Sequence, residues 1–302
     1  MPIPNFLIIG TAKAGTSSLY HYLNQHPQIY MSPVKEPRFF APELYTEHRK
    51  DPYRSGAKQH RDSPMSFEEY RQLFEGAVDE VALGEATTEY LYMPKAPERI
   101  QQRIPEAKLI AILRDPAERA FSAFCYQLRD GCEQLTFEEA LAAESQRITE
   151  NKWWPGWHYR QSGFYYQQLT RYFQVFDPSQ IKVYLHDELS TDPMSVVKDI
   201  FRFIGVEDDF TPTLTRKNVS GIPQNRFLHS LMTRDNPLKA AVKPLLPDGL
   251  RQRVSQNIHQ KNMQAKPTLS SEIRRELVED YRQDILSLQD LLQKDLSKWL
   301  AV

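Results

Sequence analysis

The sequence predicts an α/β fold: a central parallel sheet flanked by helices. Three observations carry that reading. Apolar runs and amphipathic stretches alternate along the chain as strand, helix, strand, helix. The runs at 5–9 and 108–113 (KLIAIL) lack polar alternation, as in strands covered on both faces. The first run also passes straight into a glycine-containing turn, GTAKAGTSS, that opens a helix.

The elements follow in order. The strand at 5–9 leads through that turn to a helix at about 17–25, with Leu19, Tyr22 and Leu23 on its apolar face and Pro27 as its stop. Residues 28–31 suit a second short strand. Residues 42–66 mix Pro, His and Arg among polar residues and read as a surface excursion with no assigned fold. A strand at 80–85 and a helix at 96–104 precede KLIAIL, the clearest strand in the chain. Asp115 then caps a helix, Pro116 suits its first position, and Glu118 is placed to complete a capping-box-like pair. Phe121, Phe124 and Leu128 recur at core-facing spacing, and Thr136-Phe137-Glu138-Glu139 starts a further helix by the same logic. A helix at 165–176, a strand at 181–185 and a helix opened by Asp192-Pro193 and ended by Gly205 follow. Ile273, Leu277, Tyr281, Ile285 and Leu288 mark a long amphipathic helix. With no internal repeat, residues 1–302 read as a single domain, with about 225–302 as a helical C-terminal extension.

Composition excludes several classes. Lys plus Arg total 38 and Asp plus Glu 39, a formal net charge of −1. That balance argues against a surface built throughout for nucleic acid, though not against a local basic pocket. Cys125 and Cys132 are too few for a disulfide framework and miss zinc spacings, so idle thiols in a reducing compartment and no metal site are expected. No apolar run approaches the roughly 18 residues of a membrane span. The N-terminus lacks the basic start of a signal peptide, and a cytoplasmic protein is the expectation.

Five constellations can carry chemistry. Between the first strand and helix, Lys13, Ala14, Gly15, Thr16, Ser17 and Ser18 offer a full charge, hydroxyls and backbone amides at a helix N-terminus, where an anion is favoured. The motif is not GxxxxGK[ST], because Lys13 precedes the second glycine. Lys35-Glu36-Pro37-Arg38 places one carboxylate among cations. Arg114, at the carboxyl end of KLIAIL, suits a phosphate, and Ser122 lies about two turns into the next helix. Trp157, His158, Arg160 and Tyr165 belong to an aromatic-rich stretch that reads either as a loop closing over a ligand or as a local hydrophobic cluster. Arg216, Lys217, Asn218 and Gly221 form a late basic loop.

Together these residues resemble the sulfotransferases that use 3′-phosphoadenosine 5′-phosphosulfate (PAPS), in the branch of heparan-sulfate sulfotransferases and their bacterial relatives. FLIIGTAKAGTSSLYHYLNQHP is similar to that family's 5′-phosphosulfate loop and KLIAILRDPAERAFSAF to its 3′-phosphate motif. The resemblance implies a phosphate-loop, nucleotide-kinase-like sulfotransferase fold. It implies that Lys13 offsets charge as the sulfuryl group leaves and that Ala14, Gly15, Thr16, Ser17 and Ser18 cradle the 5′-phosphate. Arg114 and Ser122 would hold the 3′-phosphate, and Arg216, Lys217, Asn218 and Gly221 would close over the nucleotide. Glu36 would act as general base, with adenosine 3′,5′-bisphosphate (PAP) as product.

Two positions depart from the glycan-modifying pattern. Glu85-Ala86-Thr87-Thr88 stands where a Lys before Ser/Thr-Pro is usual, and Arg38 stands where a His is often found. The acceptor, a hydroxyl on a saccharide, an alcohol or a carrier-bound acyl chain, is therefore open. Lys35, Arg38, Thr88, Trp157, His158, Arg160 and Tyr165 are its candidate contacts. The rival readings are a kinase-like phosphoryl transferase on a related fold and a non-catalytic nucleotide-binding module.

Overall fold

The computed structural model describes residues 2–47, 63–214, 221–223, 263–265 and 267–302. Five parallel strands form the sheet: β1 (Phe6–Gly10), β2 (Ile29–Met31), β3 (Ala82–Ala86), β4 (Lys108–Leu113) and β5 (Ile181–Leu185), in the order β2-β3-β1-β4-β5. The helices are α1 (Thr16–Leu23), α2 (Glu43–Thr46), α3 (Phe67–Gln72), α4 (Ala96–Arg103), α5 (Pro116–Arg129), α6 (Phe137–Ala142), α7 (Glu144–Thr149), α8 (Tyr165–Phe173), α9 (His186–Thr191), α10 (Pro193–Ile204) and α11 (Ser271–Leu292). A two-stranded antiparallel ribbon pairs β6 (Gly221–Pro223) with β7 (Met263–Ala265).

Why β1 and β4 read as continuous apolar runs is now visible. Leu7, Ile9, Leu109, Ala111 and Leu113 face one core, with Phe121, Leu169 and Leu277. Phe6, Ile8, Ile110 and Ile112 face the other, with Leu19, Leu23, Val197 and Phe201. Each strand buries both faces, and hydrophobic burial at about 25 cal/mol per Å² favours apolar residues at every position. Helices α5, α8 and α11 cover the first face; α1 and α10 cover the second.

Local signals act as the sequence indicates, with exceptions. Asp115 accepts from the amides of Ala117 and Glu118 at 2.9 and 3.0 Å. Glu118 does not complete the capping pair; its carboxylate turns to Arg114 (3.4 Å) and Arg274 (4.0 Å), because guanidinium charge outweighs one amide donor. Thr136 and Glu139 do form a reciprocal capping box. Cys125 and Cys132 are buried and unbridged.

The reading of 42–66 as a surface excursion is corrected at both ends. Residues 43–46 form α2, with Glu43, Leu44 and Tyr45 buried, and Met65 joins the core. Leu44 and Tyr45 supply the apolar contact, and Arg99 pairs with the buried Glu43 carboxylate. Residues 48–62 lie outside the described residues.

The C-terminal extension is not helical throughout, since it contains β7. Its long helix α11 sinks Leu277, Tyr281, Ile285 and Leu288 into the same core as the sheet, so it is part of the main fold. Among the described residues, no helix is long and apolar enough to cross a membrane.

Candidate active site

The strand order reverses beside β1, and the loops after β1 and β4 meet there at the carboxyl edge of the sheet. β1 ends at Gly10, where a Cβ would sit 2.7 Å from Leu91 Cβ. The chain then turns through Lys13 (φ 74°) and Gly15 (φ 96°) before α1 begins. Gly15 is the N-cap and brings no side-chain acceptor, and the first turn of α1 holds no acid. Among the described residues, no backbone acceptor takes the amides of Gly15, Thr16 or Ser17. Those donors, at the positive end of the helix dipole, favour an anion.

Arg114 closes the loop from the other strand. Its guanidinium donates to the Lys13 carbonyl at 3.2 Å, and its own carbonyl accepts from the Tyr165 hydroxyl at 2.9 Å. Lys13 Nζ lies over the Tyr126 ring at 4.3 Å from the centroid, and the Arg129 guanidinium lies 4.6 Å from the same ring. Burial, then the charges of Arg129 and Arg114, pull Lys13 down from 10.5 to about 8, against the opposing pull of Asp130. A half-buried lysine crowded by cations is stabilised by an arriving anion. Ser122 on α5 is buried and makes no hydrogen bond among the described residues, so its hydroxyl is available to the same ligand.

Across the sheet edge lies the turn that carries Glu36 and Arg38, with φ of 60° and 58°. Left-handed backbone at non-glycine residues costs of order 1 kcal/mol each and persists where surrounding structure enforces it. The Glu36 amide donates to the Ala86 carbonyl at 2.9 Å, which fastens the turn to the end of β3. Glu36 meets Lys35 at 3.0 Å and Arg38 at 2.7 Å, and Arg38 also meets Glu89 at 2.9 Å. The Thr88 hydroxyl donates toward Glu36 at 3.4 Å. Burial raises the Glu36 pKa, but Lys35 and Arg38 together outweigh it and hold the carboxyl below its usual value. It is therefore an ionised acceptor for a proton, positioned by two cations. The Trp154 ring lies 5.0 Å from the Arg38 guanidinium.

The structure thus brings Lys13, Ala14, Gly15, Thr16, Ser17, Ser18, Arg114 and Ser122 to the ends of β1 and β4, and Lys35, Glu36, Arg38 and Thr88 to the ends of β2 and β3 along the same carboxyl edge. Gly221 reaches α5 through β6, while Arg216, Lys217 and Asn218 lie outside the described residues. Four acceptor-contact expectations are corrected. Trp157 and His158 are 0% and 1% exposed: Trp157 packs on Trp153, and His158 bonds to the Tyr92 hydroxyl at 2.8 Å, so core packing consumes both. Arg160 pairs with Glu276 and Asp280 of α11. Tyr165 is fully buried and holds the Arg114 carbonyl. The expected convergence of Arg160 on a ligand therefore gives way to a tether between its loop and α11.

Sequence reasoning missed Tyr126, Arg129 and Glu89, and reached Trp154 only as part of the aromatic-rich stretch. The first two had a signal, because Ser122, Tyr126 and Arg129 fall at i, i+4 and i+7 on one face of α5. Glu89 had none, and only the fold brings it and Trp154 to Arg38.

With this geometry in place, comparison with known proteins is informative. Residues 4–211 match the model of the sulfotransferase family. The crystal structure of a sulfotransferase from Alicyclobacillus acidocaldarius is 33% identical, covers 100% of both chains and superposes with a TM-score of 0.78. The human bifunctional heparan sulfate N-deacetylase/N-sulfotransferase 3 is 28% identical over 214 residues, covering 68% of this chain and 22% of that protein. The membrane-associated sulfotransferase kil1 of Dictyostelium discoideum is 34% identical over 127 residues, or 42% of this chain and 24% of its own length. The chain spans less than a quarter of these curated relatives.

Proposed function

The chain belongs to the sulfotransferase family, and on that premise we propose that it moves a sulfuryl group from PAPS to an acceptor hydroxyl, with Glu36 as general base. One observation carries the reading: the β1 and β4 loops are joined through Arg114 and Lys13 around amides, a hydroxyl and cations that the protein leaves open for an anion.

The residues fit the donor. The open amides of Gly15, Thr16 and Ser17 and the charge of Lys13 suit a 5′-phosphosulfate, while Arg114 and Ser122 suit a 3′-phosphate. When bound, the donor supplies the sulfuryl group. Lys13 then offsets charge on the departing phosphate side, and the α1 dipole adds to that field. Glu36 accepts the acceptor's proton; Lys35 and Arg38 hold its carboxylate in place and also lower its basicity. Arg38, stacked against Trp154, fixes the acceptor edge rather than meeting the donor. Transfer of charge-spread groups depends mainly on positioning and cationic stabilisation, which these residues supply without further chemistry.

The acceptor class remains a saccharide, an alcohol or a carrier-bound acyl hydroxyl. The likeness to the Alicyclobacillus acidocaldarius sulfotransferase supports a bacterial-type enzyme, for which a cytoplasmic setting is proposed. Labelled sulfate transfer from PAPS to an acceptor panel tests the function, with Lys13→Ala and Glu36→Gln beside the wild type. Full activity in both variants would refute these roles. Calorimetric titration with PAP and with ATP separates this reading from a phosphoryl transferase, and PAP binding without turnover on any acceptor would mark a binding module.

A further inference from the structure

Glu85 is a carboxylate in the middle of the sheet, 0% exposed, and the transfer scheme above does not use it. It lies on β3 opposite Leu7, on the face that carries the larger core. Three hydroxyls surround it. Thr87 donates to Oε2 at 2.8 Å and Tyr70 of α3 donates to Oε1 at 3.3 Å, while the Tyr90 hydroxyl lies near enough to pull on the same carboxyl. Glu89 and Tyr172 are the remaining titratable groups that act on it electrostatically. No cation partners it among the described residues.

Two of the three hydroxyls have a second task. Thr87 Oγ1 accepts from the Arg38 amide at 3.4 Å, and the Tyr90 hydroxyl accepts from the Phe40 amide at 3.3 Å. Through Thr87 the chain is complete, from turn amide to hydroxyl to carboxylate, and Tyr90 lies beside it with the Phe40 amide on its oxygen. A hydroxyl has one proton, so it can receive the amide and still satisfy itself only if Glu85 accepts from it. If Glu85 must donate, a hydroxyl proton loses its acceptor in a site with no water-exposed surface. Of the two left-handed residues of the turn, Arg38 has its amide held by Thr87, and Glu36 has its amide held by the Ala86 carbonyl.

We propose that Glu85 is a positioning residue for the turn bearing Glu36 and Arg38, acting through Thr87 and Tyr90. The proposal deepens the functional reading and rests on it for the role of Glu36. Burial pushes the Glu85 carboxyl up to about 7, against the pull of the three hydroxyls, so the relay passes from donor-bearing to acceptor state near neutral pH.

The test combines steady-state kinetics with amide hydrogen exchange in the full chain. Thr87→Val is expected to lower kcat about tenfold with donor KM within about twofold, and to speed exchange at Arg38 about tenfold. Thr87→Ser restores both. Tyr90→Phe does the same at Phe40. Tyr70→Phe removes a hydroxyl donor to Glu85 that makes no hydrogen bond to the turn, keeps the ring that packs on Phe39 and Phe40, and leaves kcat and both amides within about twofold of wild type. Glu85→Gln presents an amide donor to the hydroxyls; it speeds exchange at both amides and removes the rise of kcat between about pH 6 and 8. Unchanged exchange at Arg38 and Phe40 in folded Glu85→Gln overturns the proposal, as does a kcat loss in Tyr70→Phe equal to that in Thr87→Val. Exchange reports the relay without catalysis, so full activity in Glu36→Gln would remove the base assignment while leaving the relay separately tested.

Discussion

The loops after β1 and β4 and the turn at 35–38 both gather cations, yet they treat them in opposite ways. Lys13 makes no ion pair among the described residues; it sits over Tyr126, and burial with the nearby charges of Arg129 and Arg114 lowers its proton affinity. Lys35 and Arg38 are fully engaged, in a chain that runs Lys35, Glu36, Arg38, Glu89. The difference separates two uses of charge. A cation meant for a ligand is left electrostatically unsatisfied, so binding energy is released only when the ligand arrives. A charged group meant to hold a geometry is paired within the protein, and its field is spent before any ligand comes.

The strongest way to break this comparison is at Lys13. Lys13→Ala removes the unsatisfied charge beside the departing group, and sulfate-transfer assays should record a kcat/KM loss of about 10³-fold with little change in thermal stability. Glu36→Gln should lower kcat about 10²-fold, measured under donor saturation, with donor affinity preserved because the base belongs to the other region. Ser122→Ala should weaken PAP binding about tenfold in calorimetry and leave kcat at saturating donor near wild type.

Two pH experiments sharpen the contrast. Lys13 is charged below about pH 8 and neutral above it. PAP affinity should therefore hold through neutral pH and then fall, by up to about tenfold per pH unit, a fall that vanishes in Lys13→Ala. Glu36 is shifted the other way, downward, by Lys35 and Arg38 acting against burial. Lys35→Ala should move the acid limb of the kcat profile to higher pH, the smallest of these effects, because Arg38 remains to hold the carboxylate. A downward move would contradict the paired-charge picture.

Much of this organisation was legible from residue order. Asp115, Thr136 and the continuous apolar run of KLIAIL act within a few residues, where capping and strand burial on both faces operate. The Gly15 turn and its open amides likewise follow from a loop joining a buried strand to a helix. Where reading failed, the missing information lay far along the chain. Nothing near Trp157 says that it packs inward while Trp154 covers Arg38, since both are aromatic and only three positions apart. Glu118, placed to complete a capping pair with Asp115, is drawn instead to Arg114 and to Arg274, which comes from α11.

By itself, then, the sequence determined the parallel sheet, the order of its helices and the loop that presents Lys13, Gly15 and Ser17, because hydrophobic period and helix-end chemistry are local properties. Only the tertiary structure decided which charges are paired. Arg38 finds Glu89, Arg160 finds Glu276 and Asp280 of α11, and Glu85 finds the Tyr70 hydroxyl of α3. The reason is electrostatic. A buried charge is governed by whatever the folded chain places within a few ångströms of it, and that neighbourhood exists only once the sheet and its helices have packed.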